Sequence, residues 1–188
     1  IAVPNPLVPH QGRNQSYTAA ESERVFEELA TWGPETVLFV RLIEKSAVRP
    51  SELLRIEVRD VDLATGRILF RPDVSKTHTR TPAYLHPSVA SALGEHVRGK
   101  QPFDKVFSLT LPQMRYRHNT AKSRAGLTGK QTLYSHKHTG AKRLYADTKD
   151  LLLVRDYLRH TNATTTQRYL ETHCQAVNDR LRDAVGRL

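Results

Sequence analysis

The sequence predicts an α+β fold, predominantly helical, with one small antiparallel β-sheet near residues 61–85. Three observations lead there. Apolar residues recur at three- and four-residue steps through most of the 188 residues. A period of two takes over only around Ile68 and Phe70, and Gly-Pro, Arg-Pro and Ala-Thr-Gly breaks separate the stretches.

Residues 1–17, IAVPNPLVPHQGRNQSY, hold three prolines and no helical period, and they read as a linker or domain junction. Thr18 and Glu21 form a T-x-x-E capping box, after which Val25, Phe26, Leu29 and Ala30 share one helical face. Gly33-Pro34 ends that helix. A more apolar helix follows over about 34–45, through Val37, Leu38, Val40, Leu42 and Ile43, and Arg49-Pro50 marks the next boundary. Between Val61 and Leu85, Ile68 and Phe70 alternate with Arg67, Leu69 and Arg71 behind an Ala64-Thr65-Gly66 turn, the pattern of a small sheet. Helical patterns resume over 88–97, about 111–125, 135–145 and 151–158, with a short piece near 166–170. Val177, Leu181, Ala184, Val185 and Leu188 lie on one face of a last helix that either caps the chain's own core, the default, or docks on a neighbour.

Lys and Arg exceed Asp and Glu by 29 to 19, a formal charge of +10, which points to a polyanionic partner. The single cysteine, Cys174, excludes a disulfide framework within the chain, and an unpaired thiol fits the cytosol or nucleoid. No run approaches the ~20 apolar residues of a spanning helix, so the reading is no membrane. The stretch 111–125 carries Arg115, Arg117, Lys122 and Arg124, and with Arg80 these are the candidate DNA-phosphate contacts. Such contacts give affinity and register without reading sequence. His118 and His138 are candidates for core positions.

Four segments carry the chemistry: AVRPSELLRIEVRDVDL at 47–63, SKTHTRTPAYL at 75–85, LYSHKHTGA at 133–141, and YLRHTNATTTQRYLE at 157–171. In this order they resemble the tyrosine recombinase (phage integrase) family. Arg49, Glu52 and Leu53 match its Arg-x-x-Glu-Leu helix, and Asp60 to Leu63 its Asp-x-Asp-Leu tail. The second segment is similar to its lysine hairpin. The last resembles its Leu-Gly-His ending, here Leu158-Arg159-His160, with Tyr169 nine residues beyond His160. The resemblance implies a tyrosine-recombinase-like catalytic domain from residue 18 onward, with Asn5-Pro6-Leu7 joining it to an absent core-binding domain.

It also implies site-specific DNA recombination, the integration or excision of a mobile element, through a 3′-phosphotyrosyl intermediate. Tyr169 is then the nucleophile, Arg49 and His160 hold the phosphate, and Lys76 protonates the leaving 5′ oxygen; Glu52 and Asp60 orient neighbours. No cofactor and no metal are implied. His136-x-His138 with His160 makes a poor metal site, because residues two apart on a helix do not share a face. The partner implied is double-stranded DNA, bound by a homotetramer, with residues 174–188 docking in trans and the free chain monomeric.

One block departs from the pattern. Where the family shows His-x-x-Arg-His, this chain has Tyr134-Ser135-His136-Lys137-His138, so Tyr134 takes the histidine's place and Lys137 the arginine's. A lysine keeps the charge but loses the two-pronged fork of a guanidinium. The alternative function is therefore a DNA-binding accessory protein of the same fold with weak or lost catalysis.

Overall fold

The structure is a computed structural model that describes residues 15–74 and 82–160. Helix α1 (Ala19–Ala30) starts on the capping box read from the sequence: Glu21 N–H donates to Thr18 Oγ1 at 3.2 Å, and Thr18 N–H to Glu21 Oε2 at 2.8 Å. Gly33 turns the chain at φ 95°, where a side chain would be strained, and Pro34 opens α2 (Pro34–Ser46). Among the described residues α2 is the central element, packed against α1, α4 (Pro87–Val97) and α6 (Ser135–Thr148). Its Phe39, Val40, Leu42 and Ile43 are fully buried with Val25 and Leu29 of α1.

The short α3 (Pro50–Leu53) and a single 3-10 turn lead into a three-stranded antiparallel sheet. Its order is β1 (Val61–Asp62), β2 (Arg67–Ile68), β3 (Ala83–Tyr84), with Val61 opposite Ile68 and Ile68 opposite Ala83. The alternation holds through it: Ile68 and Phe70 are buried and Leu69 is exposed. Helix α5 (Leu111–Arg124) turns Met114, His118 and Ala121 inward, three or four residues apart on one face. Helices α6 and α7 (Leu151–Leu158) close a second, smaller core of Ala47, Ala141, Val154 and Leu158.

Residues 15–17, which composition assigns to the linker, belong to the folded body. Tyr17 is buried and its backbone N–H donates to Thr139 Oγ1 at 2.8 Å, while Lys130 N–H donates to Gln15 Oε1 at 2.7 Å. Proline and asparagine upstream mask this in the sequence, because a lone aromatic carries no period. The helices expected near 166–170 and 174–188 lie outside the described residues.

Candidate active site

Three chain segments meet at one buried carboxylate. Helix α2 ends in a left-handed turn at Ala47 (φ 50°), and Pro50 then holds Arg49 in the extended region (φ −75°, ψ 141°), which points its side chain back over α3. Arg49 Nη1 donates to Glu52 Oε1 at 3.0 Å and its backbone N–H to Oε2 at 3.1 Å. From the far end of α7, Arg159 Nη2 donates to the same Oε2 at 2.5 Å, with its guanidinium 4.2 Å from the Phe70 ring centroid. Glu52 is completely buried; burial pushes its carboxyl up, and the Arg159 and Arg49 charges more than reverse this, so its pKa is lowered. The expectation that Glu52 orients a neighbour fits these bonds.

Lys137, in the first turn of α6, is 2% exposed and donates from Nζ to Leu158 O at 3.3 Å. Burial first, then the Arg49 and Arg159 charges, hold its pKa well below the ordinary lysine value, with Glu52 opposing. His160, which follows Arg159, is pushed down to about 4 by burial and by Lys137, Arg49 and Arg159 beside it. At neutral pH it is an uncharged imidazole with one N–H to donate. Arg49 and Arg159, with Lys137 and the neutral His160 beside them, thus form one donor group around one carboxylate, and Arg49, with 16% of its side chain exposed, reaches solvent. The oxygens of a phosphate group are what such a donor set can hold. Tyr134, just before α6, is 37% exposed. Lys76, Arg80 and Tyr169 lie outside the described residues.

Sequence reasoning missed Arg159. It stands where the resemblance has glycine, and its backbone keeps the left-handed conformation (φ 55°, ψ 46°) that glycine would supply. The departure was visible; the destination of the side chain, 107 residues away at Glu52, was not.

A family comparison matches residues 15–175 to the phage integrase family. The chain belongs to that family. No curated relative matches the sequence itself. Solved structures share the fold: XerA recombinase at a TM-score of 0.67 and 19% identity, covering 86% of this chain and 65% of that one. XerH site-specific recombinase bound to palindromic difH substrate, in a post-cleavage complex, matches at 0.70 and 20%, covering 89% and 52%. The Tn1549 transposon integrase in complex with transposon right end DNA matches at 0.65 and 16%, covering 92% and 68%. This phage integrase family chain therefore spans 65% and 52% of the length of the two recombinases.

On this family member, α5 divides its cations. Arg115 and Arg124 are exposed. Arg117 instead donates to Thr36 Oγ1 at 2.7 Å and lies over Trp32, and Lys122 donates to the carbonyls of Gly129 and Gln131 at 3.0 and 2.9 Å. These two brace α5 against α2 and the following loop.

Behind the site a polar chain crosses the core. Tyr17 Oη lies 3.0 Å from His118 Nε2, the His118 and His136 rings meet edge-on at 5.3 Å, and His136 Nδ1 is 2.9 Å from Glu44 Oε2. Ser22 and Arg143 complete Glu44. His136 is thus a core residue, and so are His118 and His138. Burial keeps His118 down at about 3 and His138 at about 4, and it lowers His136 against the opposing pull of Glu44. The unfolded histidines bind protons near 6.5, which the folded ones refuse, so stability is full above 6.5 and falls as pH drops toward 3. His118 alone is expected to cost about 2 kcal/mol at pH 5. Urea midpoints at pH 7, 6 and 5 check this; an unchanged midpoint down to pH 5 would refute it.

Proposed function

We propose that this chain is the catalytic domain of a site-specific DNA recombinase of a mobile element, which integrates or excises DNA by cutting and rejoining strands through a 3′-phosphotyrosyl link. The observation that carries the reading is the cationic group around Glu52, in which Arg49 and Arg159 share one carboxylate with Lys137 and His160 beside them. That group carries more positive charge than Glu52 neutralises, which suits an added phosphate. XerH, the Tn1549 integrase and lambda integrase, all of this fold, are solved on DNA substrates or sites.

In this reading Tyr169 Oη attacks the phosphorus, and the bond to the 5′ oxygen breaks as Lys76 gives that oxygen its proton. Arg49, Lys137 and neutral His160 hold the non-bridging oxygens as charge builds, with Tyr134 at the rim. The 5′ hydroxyl of a second strand then attacks the phosphotyrosyl link and releases Tyr169, so no ATP is consumed. Four copies act on two duplexes and the free chain is a monomer, working at the nucleoid. Arg115, Arg124 and Arg80 contact phosphates along the duplex, with Arg117 and Lys122 setting the pose of α5.

The test uses the chain and Tyr169→Phe on nicked duplexes drawn from its source genome, read as protein-linked DNA on a denaturing gel. An adduct only with Tyr169 is expected. Duplex binding with no adduct in either protein would favour the accessory-protein reading. The surface contacts have their own test: Arg115→Glu with Arg124→Glu should weaken binding across all sequences and reduce the slope of log affinity against log salt by about 2. An unchanged slope in a filter-binding titration would remove α5 from the interface.

A further inference from the structure

Arg159 spends its side chain in a way that calls for a reason. A left-handed backbone at the end of α7 suits glycine, yet here it carries a guanidinium that is almost wholly buried. The side chain is held by Phe70 beneath it and by Glu52 ahead of it, and its Nε is buried with no hydrogen-bond partner among the described residues. Strain of this kind persists where the surroundings use it.

The use is legible in how the oxygens of Glu52 are shared. A carboxylate facing a lone arginine accepts its two-pronged fork, which consumes one whole edge of the guanidinium. Here Oε2 is taken by Arg159 and by the Arg49 backbone N–H, so among the described residues the Arg49 side chain makes a single bond, Nη1 to Oε1 at 3.0 Å. We propose that Arg159 is a positioning residue for Arg49: by occupying Oε2 of Glu52 it limits the Arg49 side chain to one bond with that carboxylate and leaves the rest of the Arg49 guanidinium for a phosphate oxygen. The inference rests on the reading of Arg49 as a phosphate clamp.

The full chain is titrated with inorganic phosphate against chloride of equal ionic strength, and affinity is read from calorimetry while melting in chloride reports the fold. Arg159→Gly is expected to bind phosphate about tenfold more weakly than the wild type, because Glu52 recaptures the Arg49 fork. Arg159→Lys, which keeps a cation on Oε2, is expected to stay within about threefold. Arg159→Met keeps the packing on Phe70 without the charge and repeats the neutral arm should the glycine variant leave the fold too weak. A purely structural Arg159 would change melting in chloride and leave phosphate affinity alone. Equal affinity in the neutral variants, a lysine variant as weak as they are, or no phosphate-specific binding by the wild type would each overturn the proposal. Arg159-dependent phosphate binding in a chain that forms no adduct would refute the recombinase chemistry and leave this inference standing.

Discussion

Gly140→Ala should be among the most damaging single-atom additions in the described fold. A Cβ at Gly140 would stand 2.0 Å from Glu44 O and 2.6 Å from the Tyr157 hydroxyl, inside any contact real atoms make. Neither neighbour can step aside cheaply. Glu44 O belongs to the last turn of α2, and the Tyr157 hydroxyl donates to it at 2.7 Å, tying α7 to α2 where α6 crosses between them. Glycine at this position is what lets α6 approach α2 closely enough for His136 to reach Glu44. Overpacking of this kind costs about 3 kcal/mol, and loss of the Tyr157 bond adds about 1. For a domain of this size the melting temperature should fall by roughly 10 °C. Gly94→Ala in α4 is the control: its Cβ meets only the movable Leu63 Cδ1, at 3.3 Å, and helix propensity favours alanine, so its stability should stay within about 1 kcal/mol. Paired melts decide it; a Gly140→Ala chain melting with the wild type would mean that α6 and α2 are more loosely packed than their contact distances require.

Local chemistry was legible in the sequence and long-range partnership was not. The capping box at Thr18, the break at Gly33-Pro34 and the span of α7 over residues 151–158 each depend on neighbours a few residues away, and each appears in the structure where it was read. The same holds for the boundary at Arg49-Pro50, where α3 begins. The burial of Arg159 against Glu52, the anchoring of Arg117 on Thr36 and the inclusion of Tyr17 in the core all pair residues far apart in the chain. A charge on a helix looks solvated until a partner from another element arrives, which is why α5 read as one cationic face and proves to be half brace. Position 159 did carry a signal: a long cation where a left-handed turn is expected must be held by something.

Lys137→Ala should abolish most strand cleavage while leaving DNA affinity nearly intact. Lys137 is almost wholly buried and, among the described residues, its ammonium makes a single hydrogen bond, to Leu158 O, so it cannot contribute to the outer contacts that set affinity along a duplex. What it can do is meet one phosphate at the center of the cluster, where burial and two neighbouring guanidiniums have raised the cost of its charge. A phosphate entering beside it reverses that cost by supplying the missing anion, so the ammonium is most stable when the reacting group is most negative. Removing such a donor costs a factor of about 100 to 1,000 in the chemical step, against about threefold in binding. The same coupling gives a pH signature. Wild-type cleavage at subsaturating concentrations, where the rate reports the DNA-free protein, should decline in the alkaline arm below the ordinary lysine value of 10.5, as Lys137 loses its proton, whereas Lys137→Arg, if it cleaves, should show no such decline. Single-turnover cleavage of a nicked duplex from pH 7 upward, with affinity measured in parallel, reads both effects. Full cleavage by Lys137→Ala would remove the residue from the chemistry and leave Arg49 and His160 to hold the phosphate between them.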